Sequence, residues 1–277
     1  MPPVLRLGLG LLRAPALELG FLLRSCLCWS RGEAPLGDEA KHGLFDAAPA
    51  QALAARLGRG FELGPLTARS TRTILRSNLA RLDGLLRLAD GLQLPAGADG
   101  TVRAADFGSG DFHYATALQR WLAHHGGGRR QVVLRGFELD GHGLYRDGHS
   151  RADHARAHAR LAGDGVSFAV ADCTALRLPP QDVVSLFFPF LSVYACLAWG
   201  TPLSRLRPRR LLQRAVASLR PGGWLVVVDQ TAAEFAKLER LLGELPVRRQ
   251  RTAPFASDLA PEPERTTGQV ASIWVRC

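Results

Sequence analysis

The sequence predicts an α/β fold: a mostly parallel, seven-stranded sheet with helices on both faces, preceded by a helical extension. Three observations lead there. Near residue 100 the apolar pattern changes from steps of three and four to short runs that alternate with amphipathic segments. A glycine turn, Gly108-Ser109-Gly110, directly follows the first such run. A later run, WLVVV at 224–228, is rich in β-branched residues, as suits a strand covered on both sides.

The first hundred residues read as helical. Over 65–92, Leu75, Leu79, Leu82, Leu86 and Ala89 recur at steps of four and three, one stripe of a single long helix. The segment 1–29 is apolar but interrupted by Arg6, Arg13, Glu18 and Arg24, so no charge-free window reaches the ~20 residues of a membrane span. It also lacks the pattern of a secretory signal. Two readings stand: helices packed on the main domain, or an amphipathic segment over 1–30 in peripheral contact with a membrane surface.

LPAGADG at 94–100 breaks the pattern and divides a helical extension or cap, 1–99, from an α/β domain, 100–277. Strands are expected at 102–107, 131–139, 166–171, 182–188, 224–228, 247–252 and 269–275. Helices are expected at 113–124, 148–162, 205–219 and 231–243, with Pro221 and Gly222-Gly223 stopping the third. Such alternation implies right-handed crossovers and a largely parallel sheet.

At 277 residues, 47% hydrophobic and 22% charged, the chain can bury a sizeable core. The net charge of +10 is almost all arginine, since only Lys41 and Lys237 are lysines. It is spread over both halves, whereas a nucleic-acid footprint is a concentrated stripe. The densest cluster, Arg205, Arg207, Arg209 and Arg210, sits beside Pro208 with no interleaved aromatic residue and reads as a solvated face or a helix entry, with RNA or phosphate contact as the alternative. Five cysteines form no disulfide framework in a chain this large, and a reducing cytoplasm is the compartment they suggest. His154 and His158, one helical turn apart beside Asp153, have zinc-compatible spacing. The surrounding HSRADHARAHAR is so polar that a solvated face is the expected reading, and no metal site is assigned.

The glycine turn admits two ligand classes. A dinucleotide fingerprint needs a third glycine where His113 stands, and its ribose acid about 20 residues on; Glu138 lies 30 residues past Gly108. Asp106 and Asp111 would also face a pyrophosphate, each contact costing on the order of several kcal/mol at an effective dielectric of ~20. S-adenosylmethionine carries an ammonium and a sulfonium and no phosphate, so a carboxylate beside the turn becomes an attraction.

On these residues the chain resembles the class I S-adenosylmethionine-dependent methyltransferases over 100–277, a Rossmann-like fold. Asp106-Phe107-Gly108-Ser109-Gly110 is similar to the family's acid-x-Gly-x-Gly motif, with Phe112 where a third glycine is common. The resemblance implies that Asp106, Gly108, Ser109 and Gly110 meet the methionine moiety. It implies that Glu138, followed by Leu139, holds the ribose hydroxyls, and that Asp172 and Cys173 meet the adenine. RLLQRAVASLRPGGWLVVVD at 210–229 is similar to the family's helix–Pro-Gly-Gly–strand segment.

The implied reaction is in-line methyl transfer, which needs alignment more than covalent catalysis. His113 and Tyr194 are the candidate bases for an acceptor that arrives protonated. Amino-group methyltransferases often carry a polar residue before Pro-Pro-aromatic after the fourth strand; this chain has Phe187-Phe188-Pro189-Phe190 there. The expected acceptor is therefore a small or lipid-like molecule in an apolar pocket lined by Phe190, Tyr194 and Trp199. The alternatives are plain packing of those three under the N-terminal helices, methylation of RNA, and a binding protein that keeps the fold without turnover.

Overall fold

The computed structural model describes residues 3–97, 99–260 and 268–277, and side chains from residue 12 on. Its seven strands are β1 Val102–Phe107, β2 Val132–Glu138, β3 Val166–Val170, β4 Gln181–Phe187, β5 Leu219–Asp229, β6 Val247–Pro254 and β7 Val270–Arg276. They form one sheet in the order β3-β2-β1-β4-β5-β7-β6. All pairs are parallel except those of β7, which runs antiparallel to both β5 and β6. The chain moves outward from β1 to β3 and then returns to β4 on the other side of β1. The carboxyl ends of β1 and β4 therefore flank the point where strand order reverses, the place where open α/β sheets bind ligands.

The strands alternate their side chains between two cores. Val102, Ala104, Val226 and Val228 join one, which also takes in Leu63, Leu82, Leu85 and Trp121. Ala105, Phe107, Leu225 and Val227 join the other, with Leu212 and Leu238. The helices are α1 Pro3–Leu27, α2 Ala48–Gly60, α3 Gly64–Ala68, α4 Arg72–Leu88, α5 Ala115–His124, α6 Arg151–Ala162, α7 Val193–Ala198, α8 Pro208–Ser218 and α9 Ala232–Leu242. Helices α2 to α4 belong to the same core as the sheet.

The single helix expected over 65–92 is two. Ser70 and Thr71 interrupt it, and the Thr71 hydroxyl caps α4 by accepting from the Ile74 amide at 3.2 Å. A side-chain oxygen that can replace a backbone acceptor ends one helix and begins the next. Arg220-Pro221-Gly222-Gly223, expected to end a helix as a turn, is drawn into the start of β5, with the register shift between Gln181 and Val183 absorbing it.

Candidate functional site

The turn after β1 is built by backbone conformations that favour glycine. Gly108 and Gly110 have φ of 77° and 58°, and no neighbour stands where a Cβ of either would be. The amides of Gly108 and Ser109 both donate to the Phe137 carbonyl, at 2.8 and 3.0 Å, which fastens the turn to β2. The Ser109 hydroxyl donates to the Asp106 carbonyl and accepts from the Phe137 amide.

Asp106 sits beneath the turn and does not line the cavity above it. Its carboxylate is fully buried and accepts from the Ser185 hydroxyl at 2.6 Å and the Tyr114 hydroxyl at 2.8 Å. Burial pushes this carboxyl above its ordinary value, against the pull of those hydrogen bonds. Asp106, expected to meet the methionine tail, is a strut joining β1, β4 and the segment before α5, outside the cavity lining.

The carboxylate that faces the cavity beside the turn is Asp111. It accepts from His113 Nδ1 at 2.7 Å and from the Tyr145 hydroxyl at 3.3 Å. Burial raises its carboxyl, but the His113 hydrogen bond and the charges of His113 and His158 outweigh this and hold it well below the usual carboxylate range. His113 Nε2 lies 3.3 Å from the Ser77 hydroxyl on α4, so both ring nitrogens have partners. Phe112 has a left-handed backbone, at φ 54°. Its ring is buried against Tyr114 and Phe168 and fills the space where a Cβ on Gly136 would come within 2.8 Å.

Strands β2 and β3 bring the remaining predicted residues to the same cavity, of about 290 Å³. Gly108, Ser109, Gly110, Glu138, Leu139, Asp172 and Cys173 all line it. Glu138 accepts from the Gly110 amide at 3.0 Å through one oxygen and from the Asp140 amide at 2.9 Å through the other. Arg151 also pairs with the second of these oxygens at 3.7 Å, longer than a hydrogen bond, so both keep acceptor capacity for a ligand hydroxyl. Asp172 accepts from the Thr174 amide at 2.8 Å, while burial pushes the Cys173 thiol well up and keeps it protonated.

The opposite wall is aromatic. Phe187, Phe188, Phe190 and Trp199 line it, with the Phe190 and Trp199 rings 6.3 Å apart. Tyr194, expected in this wall and as a base, is 46% exposed and lies outside the lining, because the short helix α7 turns it toward solvent. Arg81 of α4 adds a residue the sequence did not single out. Its guanidinium lies 4.4 Å from the Tyr114 ring centroid and 5.1 Å from that of Phe187. Its position just off the α4 stripe was the only available signal, and nothing in the periodicity marked it as facing a cavity. The α1 helix closes one rim: Arg24 donates to both oxygens of Asp140, at 3.1 and 2.9 Å.

The α6 histidines do not share a solvated face. His158 is buried, and burial lowers its imidazole to about 4, while His154 pairs with Asp147 at 3.0 Å. Among the described residues no group of three or more His, Cys, Asp or Glu side chains is placed to hold a metal ion.

No family model matches the chain, and no curated relative matches it in sequence. Solved structures that match it in fold include TrmN from Thermus thermophilus, 18% identical with a TM-score of 0.46 over 80% of this chain. The chain spans only 53% of that protein's length. Another is magnesium protoporphyrin IX methyltransferase from Synechocystis PCC 6803 with bound SAM, 12% identical, TM-score 0.47, covering 84% of this chain and 99% of that one. A third is geranyl diphosphate C-methyltransferase from Streptomyces coelicolor A3(2), 14% identical, TM-score 0.47, covering 90% and 93%.

Proposed function

We propose that this chain binds S-adenosylmethionine where β1, β2 and β3 end and methylates a small apolar acceptor held against the aromatic wall. The observation that carries this is convergence. Gly108–Gly110, Glu138 and Asp172, from three successive strand ends, line one cavity with the wall at 187–190. The donor set fits the group: Glu138 has acceptor capacity for a pair of vicinal hydroxyls, Asp172 can accept from an amino group, and Gly108 leaves room for close backbone approach. Asp111, not Asp106, supplies the negative charge beside the turn for a cationic tail.

When bound, the sulfonium supplies both the methyl electrophile and its leaving group, so the protein's work is to align and to exclude water. Phe187, Phe188 and Phe190 do the second. An acceptor that arrives protonated would pass its proton to Nε2 of His113 by displacing the Ser77 hydroxyl from it, while Asp111 orients the ring through Nδ1. The test is transfer from methyl-tritiated S-adenosylmethionine into a total cell extract. Label in the organic-soluble fraction is expected. Label confined to RNA or protein, or no enzyme-dependent label, overturns the reading of the acceptor.

A further inference from the structure

We propose that the face formed by α1, α7 and the start of α8 docks on an anionic lipid surface, at the mouth of the cavity. Among its described side chains, helix α1 is held by one side only. Leu17 approaches Gly200, Glu18 accepts from the Ser204 amide and hydroxyl, Phe21 lies under Arg205, and Arg24 pairs with Asp140. The other side is apolar and open. Leu12, Leu19, Leu23 and Leu27 are 80%, 59%, 54% and 76% exposed. At 100° per residue they fall within an arc of about 80°, opposite the docked residues. Leu22 flanks them, and Val193, Tyr194 and Trp199 of the adjoining α7 segment are exposed as well. Nothing in a monomer's stability accounts for a row of leucines left in water. Among the described residues no helix is long and apolar enough to cross a membrane, so a surface-lying mode is the one available to it.

Charge identifies the occupant. Starting two residues beyond Arg205, which lies over Phe21 of α1, Arg207, Arg209, Arg210 and Arg214 line an open groove of about 540 Å³ with Pro208, Gln213 and Ala217. Among the described residues Glu244, on Arg209, is the one acid paired with these arginines. Arg207 and Pro208 line both this groove and the cavity, and Trp199 belongs both to the cavity wall and to the exposed face. Leucines that enter the acyl boundary, an aromatic residue at the interface and arginines for phosphates together suit an anionic bilayer. RNA would be expected to find aromatic residues for base stacking within the basic groove, and there are none. A second copy would bring two arginine-rich faces together.

The docking stands independently of methyl transfer; only the entry of a lipid-like acceptor through this mouth rests on that reading. Flotation with phosphatidylcholine vesicles, with and without phosphatidylglycerol, needs no cofactor and so separates the two. Wild type is expected to float at least about tenfold more with the anionic vesicles, and Leu19→Glu/Leu23→Glu to lose about tenfold or more of that. Both leucines are exposed, so the variant's melting temperature should match wild type and show that the loss is not misfolding. No flotation by wild type, equal flotation by the double variant, RNA retention without vesicle binding, or a dimer dissolved by the same substitutions would each overturn the proposal.

Discussion

Asp106 and Asp111 bracket the same glycine turn, and their roles follow from where the backbone sends them. As the penultimate residue of β1, Asp106 points into the fold and spends its carboxylate on Ser185 and Tyr114. Asp111, past the turn, reaches the cavity. Sequence spacing assigned only Asp106 to the ligand and left Asp111 without a role, since the side of the turn each acid takes depends on β4 and Tyr114 arriving from elsewhere. Phe112 is the second residue whose meaning needed the structure. Its left-handed backbone costs about 1–2 kcal/mol, and its fully buried ring contributes about 3–5 kcal/mol. Phe112→Gly should therefore lose about 2–3 kcal/mol of unfolding free energy in denaturant titration, in spite of the backbone relief. A stabilised variant would show that strain dominates.

At the level of elements, strands were legible where a short apolar run is bounded by glycine, proline or charge, as in β3 and the 224–228 part of β5. Glu138 ends β2 and Asp172 follows β3, and the alternation of runs and helices indicated which end of the sheet carries the cavity. Helix α7 was not legible: six residues cannot show a period, and an apolar stretch next to a cavity reads as its lining. This is why Tyr194 was expected to line the cavity and does not. Asn78 fixes helix α4 against its neighbour. Its side chain donates to the Ile74 and His113 carbonyls and accepts from the Ala117 amide at 3.0 Å, clamping α4 to the start of α5. Asn78→Ala leaves a buried amide and carbonyl without partners, at about 1–3 kcal/mol. Because Ser77 and Arg81 sit on the same helix, cofactor affinity should fall with it. Lost stability with unchanged affinity in the still-folded variant would place α4 outside the site's support.

For the whole molecule, two buried groups set opposing pH dependences. Burial lowers His158 from 6.5 to about 4, so below pH ~6.5 the unfolded chain binds a proton the folded chain refuses. Stability from this group falls with pH across that window, by up to about 3 kcal/mol. Burial, then the charge of Glu234, raises Asp229 from 3.8 to about 7, so the folded chain keeps a proton the unfolded chain gives up. That contribution falls as pH rises through the window, by up to about 4 kcal/mol. Between pH 4 and 6.5 the slopes oppose. Relative to wild type, His158→Gln should therefore grow less stable as pH rises, and Asp229→Asn more stable; curves parallel to wild type would remove both assignments. Calorimetric titration with S-adenosylhomocysteine tests the assignment of the cofactor to the cavity at the ends of β1, β2 and β3. Wild type should bind, and Glu138→Ala should bind roughly 10- to 100-fold more weakly, the loss of charge-assisted hydrogen bonds to two hydroxyls. Absence of binding by folded wild type, or equal binding by Glu138→Ala, would contradict it.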